Sequence, residues 1–259
     1  MIKAIFFDID GTLVSFKTHA VPQSAIKAIH EVRKRGVKVY IATGRPLPFI
    51  DNLSEVEYDG IISANGACLS DKQGKILFSK PISQDDVTRV TEYATKNNMC
   101  VTFATDETSV TINANDKSDA VFELLNLRNV SQGYGKDIPE GKEIRQIIAF
   151  FDKEQQEHIM SEVLTDCDAH RWHPDFADCI PKGISKATAI DEVIKILNID
   201  LKETMAFGDG GNDIPMLRHA GVGIAMGNAR EEVKKEADMV TESVDKDGIA
   251  QILAQIDKF

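Results

Sequence analysis

The sequence has no long apolar run, no paired cysteines and no excess of basic residues, and each absence excludes a class of protein. Four cysteines occur in 259 residues, and none of them forms a Cys-x-x-Cys pair. We therefore expect buried thiols in a reducing compartment, not a disulfide framework or a zinc site. No apolar stretch approaches the roughly 18 residues that a membrane-spanning helix needs.

The charge balance is acidic. Lys and Arg number 30 against 41 Asp and Glu, so the formal net charge is −11. We therefore expect no general attraction to nucleic acid or to an anionic membrane surface. The apolar N-terminus stops at Asp8, which makes it too short for a signal peptide, whose apolar region needs roughly 7–15 residues. We expect a cytoplasmic monomer, in which local features must attract any anionic substrate.

Buried strands and helical periods alternate at both ends of the chain. Residues 4–7 are a continuous apolar run that ends at a polar loop, as strands of a parallel sheet do, and residues 37–41 are predicted to form the next buried strand. Residues 22–36 between them have the apolar spacing of a helix, which Gly36 ends. The rhythm returns after residue 184. It predicts an α/β fold with a doubly wound, mostly parallel Rossmann-like core.

The middle of the chain has a different pattern. Hairpin signals, such as the turn at residues 71–74, replace the parallel-strand rhythm after about residue 66. Ser83 followed by Asp86 resembles a capping box that begins a helix. We predict a discontinuous core of residues 1–82 and 184–259, with an α+β cap inserted at residues 83–183.

Asp8 and Asp10 follow the first predicted strand and are two residues apart. Two carboxylates that close repel each other unless a cation or a proton lies between them. Asp8 can attack phosphorus as a nucleophile, and Asp10 can act as general acid and base. The alternative is a pair of solvated loop acids, which the tight turn and hydroxyl of Gly11 and Thr12 make less favourable.

Further polar residues lie where a strand ends or a helix begins. Thr43 and Gly44 offer a hydroxyl and an unshielded amide that can hold phosphate oxygens, although Thr-Gly is also an ordinary turn. Arg45 can bind phosphate or substrate in a bidentate contact, or pair with a surface acid. Lys186 lies in the first turn of a predicted helix. A cation there opposes the helix dipole and invites an anion, unless Lys186 is a solvated surface lysine.

An acidic cluster follows another buried strand, at residues 205–207. Asp209, Asn212 and Asp213 offer the hard oxygen ligands that suit Mg²⁺, and we favour Asp209 as a ligand. Asp213 is either a metal ligand or the N-cap of a following helix. Because open α/β sheets bind ligands at the carboxyl ends of their strands, we expect these clusters to form one site with Asp8.

In this order, the residues resemble the motifs of the haloacid dehalogenase superfamily. The four motifs are matched by Asp8-Ile9-Asp10-Gly11-Thr12, by Thr43, by Lys186, and by Gly208-Asp209 with Asn212-Asp213. Two further phrases, residues 63–67 and 181–186, are similar to the Cof-type subfamily. That subfamily has a large α+β cap, of type IIB, between the second and third motifs.

The resemblance implies a magnesium-dependent phosphatase that forms an aspartyl phosphate on Asp8 and uses Asp10 as general acid and base. It implies a metal site and a phosphate site. The metal ligands would be Asp8, the Asp10 carbonyl and Asp209, with Asp213 supporting. The phosphate contacts would be Thr43, Gly44, Lys186 and Asn212. The expected substrates are small phosphorylated metabolites, above all hexose phosphates. Two positions depart from the subfamily: it usually has glycine in place of Ala187 and glutamate in place of Asp178.

Two rival functions and one open question remain at this stage. A receiver-like phospho-acceptor also uses an acidic cluster with Thr and Lys, but it has no cap and carries its acceptor on a middle strand. A phosphomutase could use the same fold. The cap is expected to close over the site and to set specificity. Its candidate selectors are His170, Arg171, Trp172 and His173, unless Trp172 is core and the histidines are surface groups.

Overall fold

The computed structural model of the chain describes residues 1–53, 55–125, 127, 131–133 and 141–259, with only the backbone of residues 131, 132 and 172. The sequence of residues 133–142 is rich in glycine and charge and predicts a loop, most of which lies outside the described residues. The chain divides into two units. The first comprises Met1–Gly44, Asp51–Phe78 and Ser185–Phe259, and the second comprises Arg45–Ile50 and Ser79–Ile184. The predicted domain boundaries stay a prediction.

The secondary structure of the described residues alternates strands and helices at both ends of the chain. The strands are β1 Ala4–Phe7, β2 Lys38–Ala42, β3 Gly60–Ser63, β4 Cys68–Asp71, β5 Ile76–Ser79, β6 Val101–Ala104, β7 Ser109–Ile112, β8 Ser131–Gln132, β9 Gln146–Ala149, β10 Cys167–His173, β11 Phe176–Pro181, β12 Thr204–Gly208, β13 Val222–Ala225 and β14 Met239–Val240. The α-helices are α1 Gln23–Lys34, α2 Gln84–Asn97, α3 Asp116–Leu124, α4 Lys153–His158, α5 Lys186–Leu197, α6 Ile214–His219, α7 Glu231–Lys234 and α8 Gly248–Leu253.

The sheet of the first unit reverses its strand order beside β1. The order is β14-β13-β12-β1-β2-β3-β4-β5. Adjacent strands are parallel along the order from β14 to β3, and β4 is antiparallel to β3. The chain builds outward from β1 through β2 and β3, then returns to the other side of β1 with β12. Ligands of open α/β sheets bind at such a reversal, because the connections leave in opposite directions and open a crevice.

Both faces of this sheet are buried, which explains its continuous apolar strands. Phe6 packs in a cluster with residues of α5 and α6. The alternate residues Ile5 and Phe7 point to the other face and are equally buried. The Phe7 ring stacks on Phe207 of β12, with centroids 4.9 Å apart. Each such side chain contributes roughly 1.5–3 kcal/mol by leaving water. The predicted doubly wound α/β fold is confirmed.

The second unit contains a sheet in the order β10-β11-β9-β6-β7-β8, whose pairs are antiparallel except β7 with β8. One face packs apolar side chains from α2 and from the helical segment 153–163. The sequence predicts a single helix at residues 154–164, but the structure has α4 followed by a π-helix, Ile159–Val163. Strand β14 and helix α7, which are only two and four residues long, were not predicted.

The predictions based on what the sequence lacks can also be compared with the structure. The four cysteines are buried, and no disulfide joins them. Across the described parts of the chain, no helix is both long enough and apolar enough to cross a bilayer.

A buried carboxylate fixes the start of α2 in the second unit. Asp86 is fully buried, and its Oδ2 accepts a hydrogen bond of 3.0 Å from the backbone N–H of Asp166. Its Oδ1 accepts from Arg89 and from the Thr165 hydroxyl. The predicted helix N-cap is also present, since Ser83 Oγ accepts a hydrogen bond of 3.2 Å from the Asp86 N–H. These bonds join α2 to the segment that leads into β10.

We expect Asp86→Ala to lower the free energy of unfolding by about 3 kcal/mol, because it leaves Arg89 and a buried N–H without their acceptor. Chemical denaturation followed by circular dichroism measures the change. The matched control is Asp85→Ala, an exposed acid in the same helical turn, which should cost only a few tenths of a kcal/mol. Equal losses in the two variants would contradict the assignment.

Candidate active site

Several predicted site residues lie at the carboxyl ends of neighbouring strands in the first unit. Asp8 follows β1, Thr43 follows β2 and Asp209 follows β12. Backbone bonds continue the ladder past the strands: Asp8 N donates to Phe207 O at 3.0 Å, and Thr43 N donates to Ile62 O at 2.8 Å. The parallel register therefore places these polar residues along one edge of the sheet, beside the strand reversal.

Lys186 is a buried cation between two of these carboxylates. Its side chain is inaccessible, and Nζ donates to Asp8 Oδ1 at 2.6 Å and to Asp213 Oδ1 at 2.5 Å. Ser185 caps α5 by accepting from the Thr188 N–H, which fixes Lys186 in the first helical turn. Burial alone lowers the pKa of Lys186, but the charges of Asp213 and Asp8 outweigh it and raise the pKa. The alternative of a solvated surface lysine is wrong.

Asp213 organises the loop that carries Asp209. Its Oδ2 accepts hydrogen bonds of 2.9 Å from the backbone N–H groups of Asp209 and Gly210, while its Oδ1 faces Lys186. It occupies the N-cap position of α6, but its side chain makes no capping hydrogen bond there. The N-cap alternative is therefore wrong for the side chain, because the loop and Lys186 compete successfully for both oxygens.

Asp209 is held by two residues that the sequence analysis did not assign to the site. The Thr12 hydroxyl donates to Asp209 Oδ1 at 3.0 Å, and Asn228 Nδ2 lies 3.2 Å from Asp209 Oδ2. Asn228 Nδ2 also donates to Gly11 O at 2.8 Å. Asn228 follows β13, so the strand-end rule that found Asp8 also applied to it. On sequence grounds, Thr12 is a hydroxyl beside the acidic pair.

One ammonium does not balance the negative charge at this site. Burial raises the pKa of Asp8 well above its usual value, and the charge of Asp213 raises it further against the opposing effect of Lys186. Burial and Asp213 likewise raise the pKa of Asp209 to about 7. The carboxylate of Asp10, which is half-buried, adds to the repulsion on both. The cluster therefore favours an added positive charge.

The acidic residues fit a divalent metal ion. Asp8, Asp209 and Asp213 each offer a carboxylate oxygen, and these oxygens lie within 4.8 Å of one another. Mg²⁺ prefers such hard oxygen ligands, and its charge would offset the repulsion that raises the pKa values of Asp8 and Asp209. Asp8 and Asp209 are the better candidates for direct contact, because Asp213 already accepts three hydrogen bonds.

The other predicted phosphate contacts fall in two places. Thr43 is buried at the end of β2. Gly44 follows it, close to the amide of Asn212. Arg45 belongs to the second unit, where its Nη1 donates to Phe49 O at 2.9 Å and its Nη2 donates to Leu125 O at 3.1 Å. Gly44 thus lies close to Asn212, whereas the Arg45 guanidinium donates hydrogen bonds to backbone carbonyls. A role for Arg45 in binding phosphate stays a prediction.

The proposed specificity cluster lies in β10 of the second unit. Arg171 Nη1 donates to Pro174 O at 2.8 Å and to Phe176 O at 3.1 Å, so it secures the turn between β10 and β11. The side chain of Trp172 lies outside the described residues. Asp178 is buried and accepts from Gln146 Nε2 at 2.8 Å. Selection of substrate by His170 or His173 stays a prediction.

We expect Lys186→Met to lower the free energy of unfolding of the metal-free protein by about 3 kcal/mol, since it strips buried carboxylates of their cation. Urea denaturation at neutral pH measures this. The matched control is Lys195→Met on the same helix, whose side chain is 68% exposed. That change should alter stability by no more than about 0.5 kcal/mol. A neutral result for Lys186→Met would contradict the buried ion pair.

Comparison of the sequence with known proteins finds phosphatases among its relatives. The chain is 34% identical over 259 residues to YkrA of Bacillus subtilis (strain 168), which is provisionally named a phosphatase; the match covers 98% of this chain and 97% of YkrA. It is 28% identical to YcsE of the same strain, a 5-amino-6-(5-phospho-D-ribitylamino)uracil phosphatase, over 97% of this chain and 94% of YcsE.

A solved structure agrees over the full length. BT4131, described as a sugar phosphatase of HAD subclass IIB, superposes with a TM-score of 0.90 at 38% identity, covering 99% of this chain and all of BT4131. A sequence model of one family matches residues 5–253, which is nearly the whole chain. The chain belongs to the haloacid dehalogenase-like hydrolase family.

Proposed function

We propose that the protein is a magnesium-dependent phosphatase that acts on small phosphorylated metabolites through an aspartyl phosphate on Asp8. The observation that supports this most directly is the pairing of Asp8 with a buried ammonium, at 2.6 Å from Lys186 Nζ, beside the strand reversal. An ammonium there can neutralise an incoming phosphate and hold the nucleophile still at the same time. Both effects lower the barrier to phosphoryl transfer.

The proposed reaction has two steps. In the first, the Asp8 carboxylate attacks phosphorus, the bond from phosphorus to the ester oxygen breaks, and the Asp10 carboxyl donates a proton to that oxygen. In the second, the Asp10 carboxylate takes a proton from a water molecule, which attacks the same phosphorus. Inorganic phosphate leaves and the Asp8 carboxylate is restored. Asp10 lies two residues from Asp8, so one loop supplies both roles.

Asp8 and Asp209 would hold Mg²⁺, together with the Asp10 carbonyl, and Asp213 would support them. When bound, the ion supplies positive charge that offsets the charge on the phosphate oxygens. The rest of the charge compensation falls to the chain itself. Lys186 supplies a fixed cation, while Thr43, Gly44 and Asn212 are the proposed donors to the phosphate oxygens. These local groups would let a protein of net charge −11 bind an anion.

The proposed substrates are sugar phosphates, and hexose phosphates first among them. The likeness to BT4131, a sugar phosphatase at 38% identity, supports this choice. YcsE, at 28% identity, is named for a phosphorylated ribitylamino-uracil, so a panel should extend beyond sugars. Release of phosphate from sugar, nucleotide and cofactor phosphates tests the proposal. An isomerised sugar phosphate without free phosphate would favour a phosphomutase.

Cytoplasmic location and a monomeric state also stay predictions.

We expect Asp8→Asn to reduce turnover by at least about a thousandfold, because an amide cannot form the acyl phosphate. Steady-state assays on the best substrate of the panel measure this. Asp257→Asn, an exposed acid of the same unit, is the matched control and should leave turnover unchanged. Substantial turnover by Asp8→Asn would contradict the covalent route.

Asp10→Ala should slow both steps, so detection of a phosphoenzyme trapped in this variant by acid quench would support the scheme.

We expect removal of divalent metal with EDTA to abolish phosphate release, and excess Mg²⁺ to restore it, because the acidic cluster otherwise repels the substrate. Titration calorimetry of Mg²⁺ into the metal-free protein gives a second readout. Asp209→Asn should weaken that binding by at least about tenfold, as loss of a charged ligand does. Full activity in EDTA would show the metal assignment to be wrong.

A further inference from the structure

A strained loop follows β3, at the same edge of the sheet as the proposed site. Three consecutive residues, which we call the Asn65 loop, have positive φ: Ala64 at 48°, Asn65 at 52° and Gly66 at 107°. The left-handed region costs a residue such as Ala about 1–2 kcal/mol, whereas Asn tolerates it better. Backbone strain of this kind persists only where the surroundings enforce it, and it clusters at functional sites.

The Asn65 loop is fixed to two parts of the site by its backbone. Asn65 N donates to Thr43 O at 3.0 Å, which attaches the loop to the end of β2. A Cβ added to Gly66 would lie 2.2 Å from Ser185 O, so only glycine lets the loop approach the start of α5 this closely. The loop thus connects the segment that bears Thr43 with the helix that begins at Lys186.

The side chain of Asn65 reaches a third part of the site. Asn65 is 1% exposed, and its Oδ1 accepts a hydrogen bond of 2.9 Å from Asn212 Nδ2. Its own Nδ2, also buried, has no hydrogen-bond acceptor in the part of the chain that the structure describes. A buried donor without an acceptor is costly, so a native chain seldom keeps one unless something else supplies the acceptor.

The unsatisfied donor lies beside a space that Gly44 leaves open. A Cβ built on Gly44 would lie 3.1 Å from Asn65 Oδ1, 3.2 Å from Asn65 Nδ2 and 3.3 Å from Asn212 Nδ2. Two amide groups therefore flank one position beside the backbone of Gly44, and any side chain there would crowd them. A glycine at such a place allows a ligand to approach the backbone closely.

We propose that Asn65 is a further substrate-contacting residue, whose Nδ2 donates a hydrogen bond to an oxygen of the phosphoryl group beside Gly44. This inference rests on the proposed function. The strand-end rule supports it, since Asn228, Asp209, Asp8, Thr43 and Asn65 then follow five adjacent parallel strands, β13, β12, β1, β2 and β3. A phosphoryl oxygen suits the position because it carries negative charge and accepts several hydrogen bonds at once.

Asn65 also orients Asn212. The NH₂ group of Asn212 has two N–H bonds, and Asn65 Oδ1 accepts a hydrogen bond from one of them, which leaves the other to donate to a ligand. A direct contact and this orienting effect can be separated by a double-mutant cycle with Asn212. If Asn65 acted through Asn212 alone, its removal would have no effect once the Asn212 amide is gone.

The test uses the full-length protein with Mg²⁺ and titration calorimetry of inorganic phosphate. The variants are Asn65→Gly, Asn212→Ala and both together. Glycine keeps the left-handed backbone of residue 65 and removes only the side chain. The matched control is Asn198→Gly, an exposed Asn of the same unit that has positive φ at the end of α5. Thermal unfolding without phosphate verifies that each variant is folded.

We expect Asn65→Gly to weaken phosphate binding by about tenfold or more, as loss of a hydrogen bond to a charged group does, while Asn198→Gly binds as the wild type. Most of the loss should persist in the Asn212→Ala background. Unchanged binding by folded Asn65→Gly, or a loss that vanishes without the Asn212 amide, would overturn the inference. Failure of the wild type to bind phosphate or to release it from any ester would instead refute the proposed function.

Discussion

The buried ammonium of Lys186 is the interaction on which the arrangement of the first unit's site depends. It is shared by Asp8, which ends β1, and by Asp213, which begins α6. A helix start, a central strand and the loop after β12 are thereby joined at one point. Because each of these charges is costly to bury alone, the geometry is stable only while all partners are present. Loss of any one partner therefore leaves the others as uncompensated buried charges.

That pairing still leaves the site too negative. Burial and mutual repulsion raise the pKa values of Asp8 and Asp209 in spite of Lys186, so the cluster has room for further positive charge. A divalent ion and an anionic phosphate complement such a site together, since each reduces the electrostatic cost of the other. The overall charge of −11 is then compatible with an anionic substrate, because short-range groups dominate at contact distance.

Much of this was accessible from the sequence because parallel strands obey a simple spatial rule. A run of apolar residues indicates a buried strand, and the first polar residues after such a strand lie at the carboxyl edge of the sheet. That rule brought Asp8, Thr43 and Asp209 together before any coordinates. The same rule also selects Asn228 and Asn65, which follow β13 and β3. The π-helix after α4 escaped prediction because its apolar spacing resembles an ordinary helix.

The sequence by itself determined the class of fold and the residue types available at the strand ends, since periodicity and local composition encode both. Only the tertiary structure decided what each polar group contacts. On sequence grounds alone, Lys186 could have been a solvated lysine and Asp213 a helix cap. The ion pair that decided the role of Lys186 joins residues distant along the chain, since Asp8 and Lys186 are 178 positions apart. Contacts at that separation follow from how the elements pack, and no local pattern records them.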